Sequence, residues 1–328
     1  MKAIVVGFGS IGQRHVRNLL KFKDMEILIC TKRTRIKLKN KNRIKVFKSL
    51  EESLHEKPDI GFITNETSLH VPTSIKLASR GIDLFIEKPL SNSDKEIKKL
   101  LKIVKNKKTV TLIGCNLRFN PFIQKIKELI STDQIGRIIS VQVNCGTFLP
   151  DWHPYEDYRF SYAARNELGG GVILTVIHEI DYLYWFFGDV KEIFSISGKF
   201  SDLNLNVEDL SASLLRFKNN IIAELHLDYF QRINSRSCKI IGTKGIIQWD
   251  EESNLVKLYS AKKRRWINKI EIKNYDYNQE YINEIVHFIK CVKARKNSIN
   301  SIYDGVKTLQ IALAIKKASK SKKMIALS

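Results

Sequence analysis

No run of about 18 consecutive uncharged apolar residues occurs in the 328 residues, so the sequence supports no membrane-spanning helix. The opening MKAIVVGFGSIG is broken by glycine and lacks the basic, apolar and small-residue regions of a secretory signal, which leads to the expectation of a cytoplasmic protein. Cysteine is sparse: Cys30, Cys115, Cys145, Cys238 and Cys291 include no Cys-X-X-Cys pair. That spacing argues against a zinc site or a disulfide scaffold, and the apolar neighbours of each thiol point to burial. No metal is expected. Acidic residues are also short, 34 against 56 Lys and Arg, for a net charge of +22. The excess is scattered through stretches such as TKRTRIKLKNKNR and KEIKKLLKIVKNKK, interleaved with apolar helical positions. It reads as solvated faces that raise the potential around a cleft for an anionic ligand, and not as a nucleic-acid footprint.

What is present is the balance of a globular protein, 43% hydrophobic and 27% charged, with length enough for two domains or one large one. KAIVV is a short apolar run, followed by Gly7-Phe8-Gly9-Ser10-Ile11-Gly12 and an amphipathic helical segment. In a dinucleotide fold the first glycine permits the tight turn, the second lets backbone approach a pyrophosphate, and the third lets helix and strand pack closely. The amides of Ser10, Ile11 and Gly12 then face the anion. After the second strand, MEILIC, such folds often carry an acid for the ribose hydroxyls; here stand Thr31, Lys32 and Arg33. Those groups suit a ribose phosphate, so NADP is favoured over NAD.

Strands and helices keep alternating: PDIGFITN, HVPTSIKLASRG, IDLFIEKPL, SDKEIKKLLKIVKNK with Ser93 or Asp94 as its cap, and TVTLIGCN. This is the pattern of a doubly wound parallel sheet, with Asn65, Glu87, Lys88 and Asn116 at its carboxyl edge. From RIISVQVNCGTFLP onward, longer alternating strands with turns such as KNN and GTKG point to a largely antiparallel, open sheet.

In order and spacing, these segments resemble the glucose–fructose oxidoreductase and inositol dehydrogenase family, Gfo/Idh/MocA. The likeness covers nearly the whole chain. It rests on GFGSIG with QRHVRNL, TNETSLH at 64–70, EKPL at 87–90, NLRFNP at 116–121, the GGG-to-HEID segment at 169–181, and YDGVKTLQIALAIKKAS. The resemblance implies an NAD(P)-binding Rossmann domain over 1–119 and an α+β substrate-binding and oligomerisation domain over 120–328, whose last helix returns to the first. It implies that Lys88 hydrogen-bonds the reacting oxygen, that Glu87 contacts the nicotinamide ribose, and that the peptide before Pro89 is cis. Asn65 and His70 would join the cofactor site, and Asn116 and Arg118 would border the nicotinamide and the substrate entrance. A homodimer or homotetramer through the C-terminal sheet is implied as well.

His178, in GGGVILTVIHEID, stands alone among apolar neighbours, and by itself such a histidine reads as a packed core residue sooner than as a catalyst. The resemblance favours a general acid/base, for which an unperturbed pKa of about 6.5 is suited. Family members carry an Asp four residues before this His, where this chain has Leu174. On one continuous helix, Thr175, His178, Asp181, Tyr182 and Trp185 share a face. Asp181 could then orient the imidazole, with Thr175 nearby, or it could brace the helix.

The preceding insert, PDWHPYEDYRFSYAARNELGGG, is a candidate substrate wall. Trp152 and Tyr158 could stack on sugar faces or pin the loop to the sheet, and Arg159 and Arg165 suit a carboxylate or phosphate. Asp228, Gln231 and Arg232 in HLDYFQR form a second patch. The insert and HEIDYLYWFFG resemble a subgroup linked to bacterial surface-sugar biosynthesis. The reading is therefore an NAD(P)-dependent oxidoreductase of a sugar nucleotide, acidic sugar or related precursor. The alternatives are a cofactor-binding regulator without turnover and an inositol or polyol dehydrogenase.

Overall fold

The apolar runs near the N-terminus are too uniformly hydrophobic to leave a face in water, and they form a parallel sheet. Its strands are β1 (Lys2–Val6), β2 (Glu26–Cys30), β3 (Ile44–Phe47), β4 (Ile60–Ile63), β5 (Asp83–Glu87) and β6 (Thr111–Gly114). They lie in the order β3-β2-β1-β4-β5-β6, every neighbouring pair parallel. Chain order reverses between β1 and β4, which is where such sheets open a ligand crevice. The helices between the strands are α1 (Ser10–Leu19), α2 (Leu50–Leu54), α3 (His70–Ser79) and α4 (Ile97–Lys107). The cap expected for α4 at Ser93 or Asp94 is corrected: the helix starts behind Glu96, which is left-handed at φ 59° and offers no side-chain cap. The Ser93 amide instead donates to Ser91 Oγ, so the turn is organised further upstream.

The computed structural model describes residues 1–34, 36, 41–152 and 156–327. It divides into two units, one of residues 1–116 with 278–306, the other of 117–277 with 307–328. The second unit starts at α5 (Pro121–Ser131), where Asn-Pro is a helix start in two residues. Asn120 Oδ1 accepts from the amides of Phe122 and Ile123, and Pro121 occupies the first helical position, where no donor is needed. Then come β7 (Ile138–Phe148), α6 (Val172–Thr175), α7 (His178–Phe187), β8 (Val190–Gly198), β9 (Leu210–Phe217), β10 (Ile222–Asp228), β11 (Phe230–Gly242), β12 (Gly245–Asp250), β13 (Leu255–Ser260) and β14 (Arg265–Glu271).

The single helix expected over GGGVILTVIHEID is corrected to two. Val176 leaves the helical region at φ −100°, ψ 41°, between α6 and α7. Thr175, Val176 and Ile177 are consecutive β-branched residues, which crowd a helical backbone.

The last elements are α8 (Asn278–Ala294), α9 (Ile302–Ser321) and β15 (Ile325–Ala326). The nine-stranded sheet of the second unit runs β14-β13-β12-β11-β7-β10-β9-β8-β15, antiparallel except for the parallel β7–β10 pair. In β9 the buried residues Ser211, Ser213, Leu215 and Phe217 alternate with outward ones, as one covered face requires. In the first unit, Phe288 of α8 meets Phe62 and Phe85 edge-on where those two rings stack with centroids 4.7 Å apart. Residues 298–302 lie along the edge of β6. The Ile113 amide donates to the Asn300 carbonyl, Asn300 Nδ2 returns a bond to the Ile113 carbonyl, and Ser298 Oγ donates to the Thr111 carbonyl. Among the described residues no helix is long and apolar enough to cross a membrane.

Candidate functional site

The site of the first unit is built where β1 and β4 part. Gly7 follows β1 at φ +96°, and a Cβ there would lie 2.6 Å from the Asn65 amide nitrogen. A Cβ on Gly12 would lie 2.5 Å from the Gly7 carbonyl oxygen and 2.8 Å from Thr64 Oγ1. These two positions exclude side chains because backbone meets backbone. Gly9 differs: a Cβ there would meet no atom of the described residues within 4 Å. Behind it, α1 opens on the amides of Ser10, Ile11 and Gly12, with no acid in its first turn and no side-chain cap. Unoccupied amides at a helix start favour an anion. Asn65 donates from Nδ2 to Thr73 Oγ1, and its Oδ1 is buried without a hydrogen-bond partner among the described residues. The open face of Gly9, the amides and this orphan acceptor fit a dinucleotide.

At the end of β2, Thr31 is buried and its Oγ1 accepts from the Arg33 amide at 3.2 Å. Lys32 and Arg33 are exposed. Lys48, which the sequence reading did not single out, joins them: its Nζ donates to the Arg33 carbonyl at 2.5 Å.

At the end of β5, the Lys88–Pro89 peptide is cis and Lys88 is partly exposed. The carboxylate of Glu87 turns inward, with Oε1 2.6 Å from His15 Nε2 and Oε2 accepting from the Lys88 amide at 3.3 Å. His70 is buried, its Nδ1 2.7 Å from the Pro89 carbonyl and its Nε2 3.0 Å from the Asn65 carbonyl. It therefore brackets the Lys88 turn and the β4 loop. Burial pushes its pKa below the ordinary histidine value, against the two carbonyl contacts, which favour the proton. Asn116 Nδ2 donates at 2.5 Å to Glu280 of α8. The four-residue spacing of Glu280 and Glu284 on the apolar face of NQEYINEIVHF was the signal available for that helix.

In the second unit, His178 opens α7 and is 8% exposed. The acids around it are anchored. Asp181 accepts from Arg118 Nε at 2.8 Å and Nη2 at 2.9 Å, and from Thr308 Oγ1 at 3.4 Å. Arg118 is 1% exposed, so the structure places it in this buried fork. Glu179, also fully buried, accepts from Arg236 Nε at 2.8 Å. Burial pushes the Glu179 carboxyl up, against the pull of the Arg236 guanidinium. Neither Glu179 nor Arg236 was picked out from the sequence, although HEID carries two acids. At the other end of α7, Lys127 Nζ donates to the Trp185 carbonyl at 2.6 Å, a cation where the helix dipole favours one. Thr175 is buried in the preceding helix, as is Leu174.

The insert is tied to its own surroundings. Trp152 Nε1 donates to Thr147 Oγ1 at 2.7 Å, and its ring meets Tyr229 edge-on at 5.6 Å. Tyr158 Oη accepts from the Asn204 amide. Arg159, exposed, and Arg165, half-buried, pair with Asp157 and Glu167. Of its residues, 153–155 lie outside those described. Asp228 is fully buried and accepts from the amides of Phe230 and Gln231 and from Gln231 Nε2. Burial opposes its charge, yet those bonds and His226, 3.0 Å away, hold its carboxyl below the usual carboxylate range. Arg232 is exposed, with its guanidinium 3.8 Å from the centroid of the Phe148 ring.

Residues 1–115 match the family model of an oxidoreductase family's NAD-binding Rossmann fold, and residues 127–327 match that family's C-terminal alpha/beta domain. The chain is 25% identical to the myo-inositol 2-dehydrogenase of Thermotoga maritima over 100% of this chain and 98% of that one. It is 26% identical to the scyllo-inositol 2-dehydrogenase (NAD(+)) of Bacillus subtilis over 96% of this chain and 92% of that one. Among solved structures, levoglucosan dehydrogenase in complex with NADH superposes with a TM-score of 0.89 at 18% identity, covering 100% of this chain and 99% of that one.

Three outcomes follow from this geometry. Gly12→Ala overpacks backbone and is expected to lower stability by about 1–3 kcal/mol. Gly9→Ala should leave stability within about 0.5 kcal/mol while weakening NADH binding at least roughly tenfold, read by urea unfolding and nicotinamide fluorescence. Asp228, its pKa depressed on folding, contributes stability that is present above the unfolded value of about 3.9 and lost as pH falls through the folded value. Asp228→Asn should therefore flatten that part of the acid limb in unfolding midpoints measured against pH.

Proposed function

The chain belongs to the Gfo/Idh/MocA oxidoreductase family, and we propose that it transfers a hydride between a nicotinamide cofactor and a hydroxyl or carbonyl carbon of a sugar-type substrate. The observation that carries this reading is the open face of Gly9 beside the α1 amides and the unpartnered Asn65 Oδ1. Lys88, partly exposed, stands at the same carboxyl edge of the parallel sheet.

Bound NAD(P) supplies the hydride acceptor or donor. In the oxidative direction the carbinol carbon gives up hydride and its hydroxyl gives up a proton. Lys88 donates a hydrogen bond to that oxygen and stabilises its developing negative charge. His178 takes the proton and returns it in the reductive direction. Glu87 and His70 support the Lys88 turn from behind, and the Arg118–Asp181 and Arg236–Glu179 pairs fix the first turn of α7 that carries His178. The substrate class is a sugar nucleotide, acidic sugar or related precursor, with a cyclic polyol as the second reading. The full-length likeness to two inositol dehydrogenases supports that second reading.

NADP is favoured because Lys32 and Arg33 are exposed just after β2, Lys48 Nζ donates to the Arg33 carbonyl there, and none of the residues at 31–33 is acidic. A homodimer or homotetramer would cover the outward face of the nine-stranded sheet, where Phe194, Ile196, Leu214, Ile222 and Trp266 stay exposed. We propose the cytoplasm as its location on the same reading.

Nicotinamide absorbance, followed with sugar nucleotides, acidic sugars, free sugars and inositols in both directions, tests the reading. Turnover with one of them is expected. Lys88→Ala and His178→Ala should then each lower kcat by roughly 10²–10⁴-fold with NADH binding retained. No turnover across the panel, with cofactor bound, would favour a regulator, for which the buried Leu174 at the family's acid position speaks. The NADP preference predicts that Lys32→Ala with Arg33→Ala weakens NADPH binding about tenfold or more and leaves NADH nearly unchanged. Equal losses for the two cofactors would refute it.

A further inference from the structure

Behind the glycine loop, three side chains from distant parts of the sequence converge in the first unit: His15 of α1, Glu87 at the end of β5 and Glu284 of α8. One ligating atom from each lies within 4.8 Å of the other two. His15 and Glu284 are fully buried, and Glu87 is 5% exposed. The walls are aromatic, with the His15 ring against Phe62, Phe85 and Tyr281. Glu280, equally buried, holds Asn116, and the Arg14 guanidinium lies over the Tyr281 ring.

Glu284 is the anomaly. Among the described residues, neither of its oxygens has a hydrogen-bond partner, and neither does His15 Nδ1. A buried carboxylate must be neutralised by a proton or by a cation. A proton would remove the charge yet leave the other oxygen of Glu284 with no donor among the described residues. A cation asks for something else: ligands bound at about 2.0–2.2 Å stand up to roughly 4.4 Å apart across it. The three ligating atoms lie within 4.8 Å of one another, a little wider than that span. One imidazole with two carboxylates is a donor set for zinc and its first-row neighbours.

We propose that His15, Glu87 and Glu284 bind one divalent transition-metal ion of the zinc class. The ion replaces the His15–Glu87 hydrogen bond and displaces the proton held there. It ties α1, β5 and α8 together as a structural centre. The assignment does not rest on the proposed hydride transfer.

The test uses the full chain, stripped with chelator, dialysed and titrated with zinc alone. Retention of about one zinc per chain after gel filtration, read by elemental analysis, is expected, together with a rise in thermal midpoint. Cobalt in place of zinc should give the visible absorption of a low-coordinate nitrogen–oxygen site. Glu284→Gln and His15→Gln should each weaken zinc binding at least tenfold while circular dichroism stays that of the wild type. Should either variant fail to fold, anomalous scattering from zinc-soaked wild-type crystals decides, with a peak among the three residues supporting the site. Wild-type protein that retains no zinc, a peak elsewhere, or equal retention by folded variants would overturn it. NADH binding and turnover are read separately on the stripped protein, so loss of the metal site and loss of the proposed activity stay distinct.

Discussion

The first unit depends on backbone packed against backbone where β1 and β4 separate. Gly7 and Gly12 admit no side chain because the Asn65 amide and the Gly7 carbonyl stand where a Cβ would be. That contact fixes the start of α1 relative to the sheet. It is also what leaves the helix's first amides and the bare face of Gly9 turned to the crevice. A pocket for pyrophosphate is thus a by-product of a packing requirement, since the glycines that close the turn are the ones that clear the space.

The second unit achieves rigidity by different means. His178 sits at the start of a helix whose predecessor has already broken, a position free to move unless something holds it. Two ion pairs do so, the buried Arg118–Asp181 from the turn before α5 and the part-buried Arg236–Glu179 from β11. Such pairs contribute little net stability over apolar substitutes, but breaking one leaves a buried charge uncompensated. They select a geometry more than they strengthen a fold.

The α/β pattern, the glycine loop and most strands were legible because period and punctuation are local. Strands β3, β14 and β15 were not read. They lie at the sheet ends or are only two residues long, and β14, RWINKIE, has little buried surface to imprint a pattern. The broken helix before His178 was missed because its apolar spacing is helical while its backbone preference, set by three β-branched residues, is not. From spacing alone, Asp181 could orient the imidazole or brace the helix. Its engagement with Arg118, 63 residues earlier, is a tertiary fact that no local window contains. The same holds for Glu284, whose neighbours His15 and Glu87 are brought to it only by the closing of the sheet.

The edge of β6 is finished by residues 298–302, and α8 contributes Phe288 to the aromatic core. A ribosome delivers the dinucleotide half first, yet that half lacks its border until nearly the whole chain has been made. The second unit's strands, by contrast, are almost all complete before α8 emerges. Synthesis and assembly therefore run in opposite senses: the segment translated earliest waits longest for its own last pieces, with β6 still open to solvent on one side while some 180 further residues are added.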